Sequence, residues 1–246
     1  MWRSISGVIG CALGLASLPA AAQSFPGRLG GSCVDLPAEH QQFVTIDAAA
    51  PAGATLIVTV AVSSNFVSEL SLDDGLGSVY QALGGMRSGA AGAVVHFRTT
   101  LQRPLAAGQM LQLNYGNAGS TVQSCVSVLG FAGIPAAALV QNAVGATSGQ
   151  SATLAVNATS ASAPGHQLVL ASFATGSSPL TIGATPPAQL LTPLCSASSS
   201  LCLLDAYYVG DDVGTAAVTL TADSAIAWSG ALTALYADGI FGNGFD

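Results

Sequence analysis

The sequence predicts an all-β protein, a jelly-roll-like β-sandwich built from two similar antiparallel meanders. Three observations predict it. Short apolar, β-branched runs recur between Gly, Pro, Ser and Asp turns. No segment keeps a helical period for more than two turns. The second half of the chain repeats the plan of the first.

The elements follow in order. Residues 42–47 (QFVTID) alternate apolar and polar, as a half-buried strand does. Residues 55–62 (TLIVTVAV) form a nearly continuous β-rich run, expected of a strand buried on both faces. Residues 67–72 alternate again and end at the turn Asp73-Asp74-Gly75. Residues 94–100, 110–115 and 121–131 complete the first set, with the loop 116–119 joining the last two as a hairpin. In the second half, residues 152–157 match the first strand and 167–173 (QLVLASF) match the long one. Residues 203–209, 216–221 and 225–235 close the set, with Ala222-Asp223-Ser224 as hairpin loop. Pro51-Ala52-Gly53 and Ala163-Pro164-Gly165 open the two long strands, with their glycines 112 residues apart. Gly133-Ile134 and Gly239-Ile240 end the halves 106 residues apart. Each meander has one apolar face, and two such faces bury each other. Residues 135–142 (PAAALVQN) read as a single turn or a linker. The organisation expected is a signal peptide at 1–22, a lead segment at 23–40, a sandwich at 41–238 with halves of about 41–134 and 150–238, and a tail at 239–246. Two tandem sandwiches split near residue 145 are the alternative. An outer-membrane barrel fits poorly, because alternation is unclean and aromatics are too few for two girdles.

The N-terminus explains the compartment expected. Arg3 precedes an apolar stretch at 8–18, Pro19 breaks it, and Ala20-Ala21-Ala22 supplies a cleavage site before Gln23. The stretch is too short for a membrane span. Val8-Ile9-Gly10-Cys11 fits a loose lipoprotein box, but too little apolar chain precedes Cys11. The protein is therefore expected to be secreted or at the cell surface, with no transmembrane segment in the mature chain.

Charged residues make up 7% of the chain, against roughly 25% in ordinary soluble domains. There is no lysine, and cleavage leaves Arg28, Arg87, Arg98 and Arg103 against twelve carboxylates. That balance excludes a nucleic-acid partner and electrostatic docking on anionic lipid. The apolar content excludes disorder. Cys33, Cys125, Cys195 and Cys202 remain after cleavage, an even number for an oxidising space. Four cysteines allow three pairings; the favoured one is a local Cys195–Cys202 bridge that closes a Ser-rich loop at little entropic cost, with Cys33 paired to Cys125, subject to geometry. A metal site is disfavoured by the lack of a Cys-x-x-Cys pair.

Catalytic signatures are absent: no Gly-x-Ser-x-Gly elbow, no His-Glu-x-x-His, no phosphate loop ahead of a helix. His40, His96 and His166 read as surface or edge histidines, and Glu69 and Asp205 as solvated strand residues. Asp73-Asp74 and Asp211-Asp212 are calcium candidates, although Asp-Gly is also ordinary turn vocabulary. Tyr207, Tyr208 and Trp228 are the ligand candidates, for a sugar platform with one of the tyrosines facing out. Core packing is the competing reading for Trp228. No cofactor is expected, and a glycan or another surface protein is the partner class in view. The Ser/Thr-rich loops NATSAS and SASSSL offer polar surface without specificity.

Two resemblances extend this reading. PAGATLIVTVAVSS and APGHQLVLASFATGSS, each later followed by VSVLGFAGI or ALTALYADGI, resemble β-sandwich domains of secreted bacterial and tail-fibre-like proteins over about residues 40–238. Ile240, Phe241, Gly244, Phe245 and Asp246 resemble the Ile-Phe-x-x-Gly-Phe-Asp/Glu tail that ends many exported proteins of certain gammaproteobacteria. The tail implies export and a sorting or anchoring role. The expectation is a non-enzymatic binding or assembly protein. A carbohydrate-binding module or glycan-active enzyme, and a structural subunit of a surface fibre, are the alternatives.

Overall fold

The first half contributes β1 (Gly27–Val34), β2 (Gln41–Thr45), β3 (Thr55–Val62), β4 (Leu70–Asp73), β5 (Gln81–Gly89), β6 (Gly92–Thr100), β7 (Met110–Tyr115) and β8 (Ser124–Phe131). The second contributes β9 (Val140–Thr159), β10 (Gln167–Thr175), β11 (Ile182–Ala184), β12 (Gln189–Leu190), β13 (Leu194–Cys195), β14 (Cys202–Gly210) and β15 (Thr215–Tyr236). The computed structural model describes residues 27–35, 40–63, 70–89, 91–116, 123–131, 140–159, 167–177, 181–210 and 215–236. The expected signal peptide (1–22) and tail (239–246), with Glu69, His166, Asp211 and Asp212, lie outside the described residues. All pairings between strands are antiparallel. The chain is an all-β sandwich, with no closed barrel among the described residues.

In the first half, a five-stranded sheet of order β1-β8-β3-β6-β5 lies over a three-stranded sheet of order β2-β7-β4. Strand side chains alternate between faces. Val44, Leu72, Leu111 and Leu113 of the small sheet therefore meet Leu56, Val58, Val60, Val95, Phe97, Val126 and Val128 of the large one in a single core.

The second half repeats this topology with fewer breaks. Residues 140–151 of β9 pair with 226–236 of β15, which pairs on its other side with β10, then β14 and β12. That is the large sheet again. Residues 153–159 of β9 pair with 215–221 of β15, and β15 pairs there with β11. That is the small sheet again. What β1 and β2 do as separate strands, β9 does as one, and β15 likewise covers the roles of β7 and β8. Leu154, Val156, Val169, Phe173, Tyr208, Val218, Leu220 and Trp228 fill the second core.

The two large sheets face each other, which explains the continuous apolar runs. Every residue of β3 and of β10 is buried. Their alternate side chains serve two layers, one inside each half and one between the halves. Ile57, Leu129, Phe131, Leu168, Leu170 and Leu235 pack together at one end of the contact between halves. Ala61, Val94, Cys125, Ala174, Leu201 and Leu203 pack at the other.

Five expectations need correction. Residues 110–115 and 121–131 do not form a hairpin, because β7 pairs within the small sheet and β8 within the large one. Residues 27–34 are not a lead outside the sandwich but its edge strand β1, paired with β8 along its length. Residues 140–142 belong to β9 rather than to a linker. Ala222-Asp223-Ser224 is not a hairpin loop; β15 runs through it, with a register shift between Thr221 and Ile226 where the strand turns from one layer to the other. Finally, neither half waits for the other to bury its inner face, because each closes a core of its own. The glycine lead hid β1, yet one glycine there is required. A Cβ at Gly30 would collide with the Thr45 carbonyl oxygen, so only glycine lets β1 pass this close to β2.

Candidate functional site: a sealed polar belt between the halves

Between the two apolar ends of the contact runs a belt of polar side chains. On the first half, Thr59 of β3 stands beside His96 of β6 and Ser127 of β8 in one cross-strand row. On the second, Ser172 of β10 stands beside Asp205 of β14. The rows face each other. His96 Nδ1 is 2.7 Å from Thr233 Oγ1, and Nε2 is 2.9 Å from Ser172 Oγ. Ser172 Oγ donates to Asp205 Oδ1 at 2.7 Å and lies 3.2 Å from Thr59 Oγ1. Arg28 of β1 closes the belt. Its Nη2 pairs with Asp205 Oδ2 at 3.1 Å, Nε donates to Ser127 Oγ at 2.9 Å, and Nη1 to the Thr192 carbonyl at 2.6 Å.

Proton counting fixes the histidine. A carboxylate only accepts, so Ser172 commits its single proton to Asp205. Ser172 Oγ must then accept from His96, which places the ring proton on Nε2. Nδ1 is left to accept from Thr233. Burial holds His96 down at about 4, with the Asp205 charge opposing the shift. The ring is therefore neutral at pH 7.

Serine, histidine and aspartate meet here, but not as a nucleophilic triad. In a triad the histidine sits between the serine and the carboxylate and takes the serine proton. In this belt the serine sits in the middle, and the Nε2 proton points at it. Ser172 and Asp205 are fully buried, and His96 is 1% exposed. The arrangement crosslinks two sheets. It corrects two expectations: His96 is not a surface or edge residue, and Asp205 is not solvated. Asp205 tolerates burial because both its oxygens have donors.

The disulfides pair as expected. Cys33–Cys125 joins register partners on β1 and β8, and Cys195–Cys202 joins register partners on β13 and β14. Both sit at the same end of the contact between halves, where Cys125 Sγ lies 3.8 Å from the carbonyl oxygens of Leu194 and Leu201. The Ser-rich loop between Cys195 and Cys202 bonds the first half. Ser198 donates its amide to Asp35 at 3.0 Å and its hydroxyl at 2.5 Å, and Gln123 Nε2 donates to Ser198 Oγ at 3.1 Å. The Ser198 hydroxyl leads the interactions that hold the Asp35 carboxyl below its usual range.

The other expected site residues do not converge. Tyr208 and Trp228 are buried in the second core, with Trp228 edge-to-face on Phe173 at 5.9 Å, so neither offers a platform. Trp228 Nε1 donates to Ser151 Oγ at 3.1 Å, which satisfies its polar handle. Tyr207 is half-buried against the apolar cluster and donates to Gln189 Oε1 at 3.0 Å. Asp73 Oδ1 accepts from the Gly75 amide at 2.8 Å. Asp74 Oδ1 accepts from the Leu76 amide at 2.8 Å, and Tyr80 donates to Oδ2 at 3.2 Å. Burial works to raise the Asp74 pKa, but hydrogen bonds from Ser78, Leu76 and Tyr80 outweigh it and keep the carboxyl low. These are turn carboxylates with their donors already in place. Among the described residues no group of three metal-ligating side chains forms.

Sequence reasoning missed three things. It missed the belt as a unit, a second buried network, and an exposed aromatic. In the second network Gln42 Nε2 donates to the Ser32 carbonyl at 3.1 Å, Tyr115 donates to Gln42 Oε1 at 2.6 Å, and Ser124 bonds both. The signal was available: Gln42 shares strand parity with inward Val44. The same parity puts Phe43 on the outer face, where it is 52% exposed. No family model, no curated protein and no solved structure matches the chain.

Proposed function

We propose that this chain is an exported, non-enzymatic β-sandwich protein, secreted or held at the cell surface, with a binding or assembly role. One observation carries the reading. The place where serine, histidine and carboxylate converge is sealed, and its proton order opposes nucleophilic attack. These groups join the two halves rather than meet a substrate. Two disulfides, and the absence of any described helix long and apolar enough to cross a membrane, are compatible with life outside the cytoplasm. The leader at 1–22 and the tail at 239–246 supply the route and, in this reading, the retention. A protein that works by presenting surfaces needs a rigid frame, and four stacked layers with a cross-braced centre are such a frame.

The test has two parts. The full-length gene is expressed in a Gram-negative host, and the exported product is sequenced from its N-terminus. A start at Gln23 supports export; retention of Met1 in the cytoplasm sinks it. The purified mature protein is then screened against ester, peptide, glycoside and phosphate substrates. Turnover that a single substitution abolishes overturns the non-enzymatic reading.

A further inference from the structure

We propose that residues 153–159 of β9 pair antiparallel with the same residues of a second copy of this chain, an inference that rests on the assembly reading above. A strand edge is a row of N–H and C=O groups, and another strand matches that row group for group. One edge of β9 pairs with β15. Among the described residues nothing pairs with its other edge. In an antiparallel ladder every second residue turns its amide and carbonyl away from the partner it has. Residues 153–159 therefore present a ladder that is half used.

Natural sheets blunt such edges with charge, proline or brevity. The other outer strands of this molecule do so. Arg28 lies on β1, Asp73 on β4 and Arg87 on β5. The strands β2, β11, β12 and β13 have five residues or fewer. By contrast, β9 runs for 20 residues with no charged side chain and no proline. The chain as a whole is acidic, so copies repel at most surfaces. Along β9 they can approach without bringing like charges together.

Self-complementarity selects the occupant. Val156 is the middle of the seven residues 153–159 that pair with β15 beyond the register shift. A two-fold axis through Val156 therefore pairs all seven with their copies, and a two-fold contact closes at the dimer. On the exposed row Thr153 meets Thr159 and Ala155 meets Asn157, which are neutral pairs with Thr–Thr at both ends. On the inward row Leu154 meets Ala158 on each side of a central Val156 pair, so a large side chain always stands opposite a small one. Leu154, Val156 and Ala158 already belong to the second core, and the copy's row would extend it. The sheet β11-β15-β9 would become six strands across the two copies. The first half shows that the fold does not require this edge. There β2 takes the place of 153–159 with five residues, and Asp47 follows it closely.

Sedimentation of the mature chain from about 1 μM to about 1 mM, the span from moderate to weak dissociation constants, tests the proposal. A reversible monomer–dimer equilibrium is expected, with amide hydrogen exchange in 153–159 slowing as dimer forms. Ala155→Lys with Asn157→Lys places like charges directly opposite at two points, and the dissociation constant should rise about tenfold. Ala155→Glu with Asn157→Glu should do the same, and an equal mixture of the two variants should recover the dimer. Gln41→Lys with Phe43→Lys, on β2, should leave the equilibrium unchanged. Thermal melts check that each variant folds. A monomer at every concentration overturns the proposal. A dimer that ignores the charges on β9, or that the mixture fails to restore, overturns this pairing but leaves the assembly role standing. Substrate turnover by the wild type overturns the non-enzymatic reading instead.

Discussion

The two halves of this molecule have one topology and two characters. In the first half, the large and small sheets are separate, joined through loops and by the Gly30–Ile46 bridge. In the second, β9 and β15 run through both layers as strands of 20 and 22 residues. The first half keeps a buried amide and tyrosine network in its own core, while the second fills the same space with Phe173 and Trp228. At the contact between them the roles are complementary: the first half brings the cation Arg28 and the histidine, the second the carboxylate and the serine. The lesson is that a repeated fold does not need repeated side chains. Topology tolerates divergence wherever the space stays filled and buried polar groups stay paired, and the surface between copies is where divergence becomes mutual.

The disulfides offer the largest test of this asymmetry. Cys33–Cys125 spans 92 residues within the first half, and Cys195–Cys202 spans 7 within the second. Chain-entropy reasoning assigns about 4–5 kcal/mol to the long bridge and about 2 kcal/mol to the short one. Replacing Cys33 and Cys125 by Ala should therefore lower the denaturant midpoint far more than the same change at Cys195 and Cys202. Equal losses would mean that the bridges act mainly through the shared contact between halves.

Next in size is the ion pair across the halves. Asp205→Ala leaves Arg28 without its partner and Ser172 without its acceptor. Arg28 keeps 15% of its side chain in water, so the cost belongs at the low end of the range for a broken buried pair, about 3 kcal/mol. Equilibrium urea unfolding measures it. A loss under 1 kcal/mol would show the belt to be dispensable.

The histidine makes the contact sensitive to acid. Its folded pKa is depressed, from 6.5 to about 4, so the unfolded chain takes up the proton first as pH falls. The stability it contributes is complete above pH 6.5 and is lost as the pH drops toward 4. The loss is about 3 kcal/mol across that window, as linkage requires. His96→Gln should be less stable at pH 7.5 but should have a flatter profile between pH 6.5 and 4. An unchanged profile would place the acid sensitivity elsewhere.

The smallest effect expected is on the outer faces. Phe43→Thr makes the first half resemble the second there, and stability should change by no more than about 0.5 kcal/mol. A larger loss would mean that Phe43 supports the sheet despite its exposure.

How far the sequence could be read follows from the physics of each region. Strands with clean alternation, such as 42–47, were legible because one face meets water. The β3 and β10 runs were legible as doubly buried, since apolar residues occupy both parities. The strand β1 was hidden because Gly30 answers to the close approach of the Thr45 carbonyl and Gly31 to the Leu194 side chain, and steric proximity leaves no periodic trace. The continuity of β9 and β15 was hidden because Ala222-Asp223-Ser224 has turn composition, and a register shift absorbs it within the sheet. Among the site residues, Tyr208 and Trp228 looked like a platform because aromatic type says nothing of which layer lies beyond. Asp205 looked solvated because most carboxylates are; its two donors, Arg28 and Ser172, lie 177 and 33 residues away.

Composition and strand periodicity thus determined, without coordinates, that this is an all-β protein, and they pointed to a repeated plan; cysteine spacing favoured one long and one short disulfide, a pairing the structure then fixed. These are local properties, set by side-chain period, turn chemistry and loop entropy. Only the tertiary structure decided that each half closes its own core, that the large sheets meet through a belt of Arg28, Asp205, Ser172, His96 and Thr233, and that Phe43 rather than Tyr208 meets water. Those outcomes depend on which face of one sheet lies against another, and that is a contact between residues that the chain itself keeps far apart.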